Sequence, residues 1–288
     1  MLGEDDPRGA HDALVESISV ARRGGYGRSE INKLSNGVEA AVELGEWEAA
    51  DEMLARLRDM PSMPAADESF VSLGEALLAA YRGDHAAARA AMEAVDEHQN
   101  PMARAWAHRV RAVVLTQGGE TEAGFDAAMV AIAEQPSGPN SPFALWSAGR
   151  AALWSHDELP LAAARIQAAL DATTTLRGAW VNGVRASLEA ALAGLEGRSE
   201  DALDGFAAVL KTWTAMQLPF DHAMTVGDAV VVLGPDVLPP GEIDEATTFL
   251  EGIGAAPLLS RFESAPVSTT DRTFATELSR RPRSGSSR

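Results

Sequence analysis

The sequence predicts an all-α fold built from about six stacked helical hairpins. Ala-rich segments with apolar residues at positions i, i+3 and i+4 dominate the chain, and they end at Gly or Pro at regular intervals. Alternating β-branched runs, which are typical of strands, do not occur. A tight turn recurs with spacings of 38, 36, 38 and 40 residues, at Gly45, Gly83, Gly119, Asp157 and Gly197.

The residues after each turn repeat as well. The fifth residue after the turn is small in every copy: Ala50, Ala88, Gly124, Ala162 and Ala202. The ninth is larger in all copies but the third: Leu54, Met92, Ala128, Ile166 and Phe206. Two helices that cross closely just past a turn require a small side chain there, and one helical turn later the same face must fill the core.

These signals place every helix of the repeat. The first helices of the hairpins are predicted at 30–44, 67–82, 101–117, 142–155, 178–196 and 219–233. Their partners are predicted at 47–59, 85–97, 120–134, 159–173, 199–216 and 242–252. The predicted organisation is a loose N-terminal segment with a short helix (1–28), the helical repeat domain (29–263) and a disordered Arg/Ser-rich tail (264–288). Within the first segment, residues 1–10 are expected to be loose and the short helix to span 11–23.

Composition limits the classes of function. The 288 residues are 46% apolar, which is enough to bury a substantial core, and the formal net charge of −18 disfavours binding to nucleic-acid phosphates. Cysteine is absent, which suits a reducing compartment. The start, MLGEDDPRGAHD, has no apolar stretch typical of a signal peptide, and no window resembles a membrane span. We therefore expect a cytoplasmic protein that binds neither nucleic acid nor membrane.

The turn and spacing pattern over about 29–265 resembles tetratricopeptide-like repeats in a slightly elongated form. A closer resemblance covers about 178–265: the small-residue turn, Trp213, the Leu218–Phe220 step, the Leu233–Pro235 stop and the closing Gly254–Leu259. This stretch is similar to the C-terminal tail of large bacterial signalling regulators, which join an adenylate-cyclase-like or LuxR-type domain to an AAA-type ATPase and a tetratricopeptide-like tail.

The resemblance implies a right-handed α-solenoid that acts as a sensor or scaffold arm. Its implied partner is a protein or peptide, such as an ATPase, a cyclase or a transcription regulator. The ATPase and catalytic domains of that family lie upstream of the tail and have no counterpart here. Three alternatives stay open: a fragment, a stand-alone descendant of the tail, or one piece of a split system.

Motifs for catalysis, cofactors or metals are not found. A phosphate-binding loop needs Gly before Lys and Ser/Thr, and neither Lys33 nor Lys211 follows Gly. The two His–carboxylate clusters have structural explanations: Asp221-His222 opens a helix, and His156-Asp157-Glu158 fills a turn. We therefore expect no enzyme activity, no cofactor and no metal.

Candidate binding residues come from the first helices. The six Trp are interpreted mainly as packing residues, but Trp106 and Trp154 fall where such solenoids have their concave face. There, with Arg109 and Ser147 nearby, they could grip a peptide or a small ligand.

A charged residue followed by Ala also recurs before each turn: Glu39, Glu75, Arg111, Arg150 and Glu189. Ion pairs Glu75–Arg111 and Arg150–Glu189 between neighbouring hairpins are one interpretation, and a partner-binding stripe that includes Arg111 is the other.

Three functions compete on these grounds. The first is a non-catalytic module for protein–protein interaction or regulation. The second is a small-molecule sensor that holds its ligand in the superhelical groove. The third is an enzyme whose residues are scattered over several repeats, and no motif favours it.

Overall fold

The structure is a computed structural model that describes residues 6–60, 63–95, 100–155 and 159–263, and no β-strand occurs among them. The all-α prediction is confirmed. The helices are α1 (Pro7–Arg23), α2 (Gly27–Leu44), α3 (Trp47–Arg58), α4 (Ala65–Arg82), α5 (His85–Glu93), α6 (Pro101–Gln117), α7 (Thr121–Glu134), α8 (Ser141–Leu153), α9 (Leu159–Ala172), α10 (Ala179–Leu195), α11 (Ser199–Ala215), α12 (Pro219–Leu233), α13 (Pro240–Gly252) and α14 (Ala256–Glu263). A 3₁₀ turn, Pro235–Val237, lies between α12 and α13. None of the described helices is long and apolar enough to cross a membrane.

The two ends differ from the prediction in one respect each. Residues 7–10 were expected to be loose, but α1 begins at Pro7 because the Asp6 carboxylate accepts a hydrogen bond from the Gly9 N–H at 2.8 Å and caps the helix. At the other end the sequence analysis missed α14. The predicted tail (264–288) and the turn His156–Glu158 lie outside the described residues.

The predicted turns rest on glycine. Gly45, Gly83, Gly119 and Gly197 have φ angles of 77°, 83°, 87° and 83°, in the left-handed region that other residues enter only with strain. The small residue five positions later is buried in each described copy, as predicted. At Gly124, for example, an added Cβ would lie 2.3 Å from the Thr116 Oγ1 atom of the preceding helix. The turn and the close crossing together set the geometry of each hairpin.

Successive helices contact one another in pairs: α2 with α3, α4 with α5, α6 with α7, α8 with α9, α10 with α11 and α12 with α13. The first helices of these pairs also contact one another in chain order, from α2 through α4, α6, α8 and α10 to α12. At Gly149 of α8 the approach is so close that an added Cβ would lie 2.2 Å from a methyl group of Leu188 in α10. The first helices therefore share one continuous apolar core.

The chain also closes on itself. Helix α12 contacts α2, and α14 contacts α4. The Phe220 ring of α12 packs edge-on against Trp47 and Tyr81, with centroid distances of 6.0 and 5.3 Å. The side of the first helices that a solenoid leaves open is thus covered, within the described residues, by contacts between the N-terminal and C-terminal hairpins.

The crossing of α10 and α11 gives a test of the repeat register. Ala202 is fully buried, and a Cβ added at Gly194 of α10 would lie 3.4 Å from the Ala202 Cβ atom. We expect Ala202→Trp to lower the free energy of unfolding by about 3 kcal/mol, because a large side chain overpacks the crossing. Urea unfolding followed by circular dichroism measures this loss. Ala208→Trp, at an exposed position of the same helix, is the matched control and should change stability by less than about 0.5 kcal/mol. Equal effects of the two substitutions would contradict the register.

Candidate functional site

The two tryptophans predicted to line an open concave face are buried instead. Trp106 is 9% exposed and stacks on Phe70 with a centroid distance of 5.0 Å. Trp154 is 4% exposed, and its indole N–H donates to an Asp228 carboxylate oxygen at 3.1 Å. The ligand-gripping hypothesis for this pair is therefore wrong in this closed structure, while the packing interpretation holds for all six Trp.

The other predicted site residues separate into interior and surface positions. Arg109 is 1% exposed and forms ion pairs with Glu39 and Glu43 of α2, while its guanidinium lies 4.5 Å from the Phe143 ring centroid. Ser147 is half-buried and donates a hydrogen bond to the Phe143 carbonyl oxygen at 2.9 Å. Arg111, two residues after Arg109, is exposed. The structure therefore does not bring the five predicted residues together into one binding surface.

The predicted ion pairs between adjacent first helices are also wrong. Glu75 pairs with Arg58 at 2.7 Å rather than with Arg111. The Arg150 Nε atom lies 3.6 Å from an Asp228 oxygen, and Glu189 is exposed. The physical reason is the closure of the chain, which brings α12 against α8 and gives Arg150 a partner that neighbouring repeats could not supply.

Closure creates a group of buried charges that we name the interior cluster. It consists of Glu39 and Glu43 of α2, Arg109 of α6, Arg150 of α8, and Asp221 and Asp228 of α12. Every one of these side chains is at most 16% exposed. Four carboxyl groups thus meet two guanidinium groups where water has little access.

Tryptophans hold the cluster in place. Trp180 donates its indole N–H to an Asp221 oxygen at 3.2 Å, and Trp146 donates a second hydrogen bond to the same carboxyl group. The Arg150 guanidinium lies over the Trp146 ring, with its central carbon 3.6 Å from the ring centroid. Each indole therefore contributes apolar area to the core and a polar contact to the cluster.

Burial changes the protonation of the cluster. It raises the pKa of Asp221 from 3.8 to about 7, against the opposing effects of Arg150 and the indole hydrogen bonds. Burial also raises the pKa of Glu43, although the neighbouring Arg109 lowers it. These two carboxyl groups bind protons at pH values where exposed carboxyl groups are ionised.

A small cavity of about 10 Å³ adjoins the cluster and is lined in part by Tyr81, Thr116, Gln117 and Arg150. The Thr116 hydroxyl, the Gln117 carbonyl oxygen and one terminal Arg150 nitrogen are buried without a hydrogen-bond partner in the protein. Its volume suits one water molecule and is too small for a peptide or a metabolite. Within the described ranges, no group of three or more His, Asp or Glu side chains is placed to hold a metal ion.

A much larger opening lies on the outer surface near the C-terminal hairpin. This C-terminal cleft has a volume of about 820 Å³ and lies between α11, the 234–239 connection and the start of α13. Its apolar lining includes Leu203, Ala207, Leu210, Val237 and Leu238, its charged lining consists of Asp204, Lys211 and Glu242, and the His222 imidazole adds a further polar group. The His222 Nε2 atom lies 3.1 Å from a Glu242 oxygen.

The cleft follows from the length of one connection. The hairpins α2–α3 and α4–α5 turn within the two residues 45–46 and 83–84, whereas α12 and α13 are joined by the six residues 234–239. The extra residues form the 3₁₀ turn, which carries Val237 to the surface. The face of α11 formed by Leu203, Ala207, Leu210 and Thr214 then lines an open space.

Sequence reasoning missed Glu43, Asp221 and Asp228 as members of one cluster. A signal was present, because Asp221 and Asp228 are seven residues apart, on one side of a helix that is otherwise largely apolar. Glu39 and Glu43 share a face of α2 in the same way.

No family model, curated protein or solved structure matches the chain.

Removal of the buried Arg109 guanidinium should destabilise the folded chain. We expect Arg109→Met to lower the free energy of unfolding by about 3–5 kcal/mol, because it leaves Glu39 and Glu43 buried without their partner. Urea unfolding of the exposed neighbour variant Arg111→Met is the control, with a change below about 0.5 kcal/mol. Adding Glu39→Gln and Glu43→Gln to Arg109→Met should restore part of the loss. A loss below about 1 kcal/mol for Arg109→Met would contradict the buried pairing.

Asp221 should make stability depend on pH. Because its pKa is higher in the folded chain than in the unfolded chain, its contribution is present at low pH and is lost as pH rises through about 7. We expect the difference in unfolding free energy between the native chain and Asp221→Asn to shift by roughly 2–3 kcal/mol between pH 5 and pH 8, with the native chain losing stability. Urea titrations at both pH values measure it. Asp204→Asn, at an exposed carboxylate, should show no such shift.

Proposed function

We propose that the chain is a non-catalytic helical-repeat module that mediates protein–protein interaction or regulation. In this proposal the hairpins form a right-handed, tetratricopeptide-like solenoid, similar to the tail of bacterial signalling regulators. The glycine turns, the buried small residue after each turn and the serial contacts of the first helices support it. Such repeats expose large surfaces that bind partners.

The C-terminal cleft is the observation that carries the proposal. The interior cannot receive a partner in the closed chain, because the interior cluster and the six tryptophans fill it. The cleft, in contrast, is open, has apolar walls and has a few charged groups at its edge. These are the properties of surfaces that accept a helix or an extended segment of another protein.

We infer that the occupant is an amphipathic helix of a partner protein that carries basic residues. The face of α11 offers apolar contacts at i, i+4 and i+7, through Leu203, Ala207 and Leu210, which suits apolar residues on a second helix. Asp204 and Glu242 outnumber Lys211 among the charged lining residues, and the whole chain carries a net charge of −18. Both charge balances favour a basic partner segment.

A small-molecule sensor is the second candidate, and one observation favours it. The cleft volume of about 820 Å³ falls within the range of roughly 300–1,000 Å³ that is common for small-ligand pockets. In that case the ligand lies in the C-terminal cleft rather than in the superhelical groove.

Val237 allows a test that leaves the fold intact. Its side chain in the cleft is 42% exposed, and Val130 on α7, which does not line the cleft, is 40% exposed. A partner is captured from lysate, identified and reduced to a synthetic helical peptide, and its dissociation constant is measured by calorimetry with the purified chain. We expect Val237→Asp to weaken binding about tenfold or more, through a buried charge in the apolar contact, and Val130→Asp to change it less than twofold.

The outcomes separate the candidates. A basic helical peptide whose binding depends on Val237 supports the interaction module. Binding that is indifferent to Val237→Asp contradicts the cleft as the docking site. A metabolite that raises the melting temperature of the native chain but not of Val237→Asp, without any peptide binding, supports the sensor.

A further inference from the structure

The interior cluster lies where the two ends of the repeat array meet. Glu39 and Glu43 belong to α2, near the start of the array, and Asp221 and Asp228 belong to α12, near its end. We propose that this cluster is a proton-controlled latch, which holds α2–α4 closed against α12–α14 while its surplus carboxyl groups are protonated and releases them when those groups ionise. This inference is independent of the cleft and of any partner.

The charge balance of the interior cluster favours bound protons. Four carboxylates and two guanidinium groups carry a net charge of −2 when all are ionised. An unpaired buried charge is strongly unfavourable in a water-poor interior, so the closed chain favours a neutral cluster. Two protons on carboxyl groups give that neutral state. The protons are therefore part of what the closed chain binds.

The charges of the cluster are divided between the two sides of the closure. The two acidic pairs sit on the two helices that contact each other at the closure, and the two arginines come from α6 and α8. The two sides interact electrostatically, since the charge of Glu43 on α2 raises the pKa of Asp221 on α12. Loss of both protons consequently creates repulsion between α2 and α12, and separation of these helices gives the carboxylates access to water.

The other charged and titratable groups near Asp221 do not supply a further positive charge that would neutralise its carboxylate. Arg150 of α8 is shared with Asp228, and Arg109 of α6 is taken by Glu39 and Glu43. Tyr81 of α4 stays neutral because burial raises its pKa further. The groups that face Asp221 from α10 and α8 besides Arg150 are the indole N–H donors of Trp180 and Trp146, which carry no charge.

The direction of the pH effect follows from linkage. The Asp221 carboxyl group has a pKa of about 7 in the closed chain and an ordinary value of 3.8 when exposed to water. The closed form therefore binds the proton more tightly, and a rise in pH favours the open form. With these two values the opening equilibrium constant increases about tenfold between pH 6 and pH 8.5.

The chain contains no cysteine, so a single introduced thiol can report opening. Met224 is buried on α12, one helical turn after Phe220, which packs against Trp47 and Tyr81. The rate at which Met224→Cys reacts with a thiol reagent, corrected for the thiolate fraction, measures how often this face is exposed. Ala202→Cys, buried at the α10–α11 crossing away from the closure, is the matched control.

We expect the corrected labelling rate of Met224→Cys to rise about tenfold from pH 6 to pH 8.5 and that of Ala202→Cys to change less than twofold. Asp221→Asn in the Met224→Cys background should make the pH effect several-fold smaller, because a neutral amide cannot ionise and Glu43 is then left as the carboxyl group that releases a proton. If Asp221→Asn does not fold, Glu43→Gln replaces it, since this carboxyl group lies on the opposite side of the contact.

Three results would overturn the latch. The first is a Met224→Cys labelling rate that does not depend on pH. The second is an equal rise at both cysteines, which means that the whole chain loses stability and that no local closure opens. The third is a pH effect that keeps its full size in both carboxyl variants.

Discussion

The structure depends on the pairing of six ionisable side chains in an interior with little access to water. Arg109 satisfies Glu39 and Glu43, Arg150 lies between Asp228 and the Trp146 ring, and Asp221 takes hydrogen bonds from two indoles. A buried ion pair adds little net stability but is costly to break. The cluster therefore adds little net stability, but it is satisfied only when the helices meet in one arrangement.

This requirement explains the use of tryptophan in the core. Trp146, Trp154 and Trp180 surround the two α12 carboxyl groups, and each donates an indole N–H to one of them. An aliphatic side chain in their place could fill the volume but could not solvate a carboxyl group. The aromatic residues predicted as packing residues thus also serve as the polar environment of the buried charges.

Closure also decides where a partner can bind. Because α12 and α14 cover α2 and α4, the surface that an open repeat array offers along its first helices is occupied by the chain itself. Recognition is shifted to the outer side, where the six-residue connection before α13 leaves the C-terminal cleft. The docking site and the latch that we propose therefore lie in different parts of the molecule. The docking site is the C-terminal cleft, and the latch is the interior cluster.

The sequence by itself determined the helices, the glycine turns and the small residue at each hairpin crossing, because these depend on side chains within about ten residues of one another. It predicted Arg109 as a functional candidate but paired the charged stripe wrongly, and it gave Trp106 and Trp154 an open surface that they lack. Only the tertiary structure decided which faces meet at the closure. That contact joins α2 to α12, and their sequence separation of more than 170 residues leaves no local pattern. The pKa values of Asp221 and Glu43 rise only once the folded structure buries these groups.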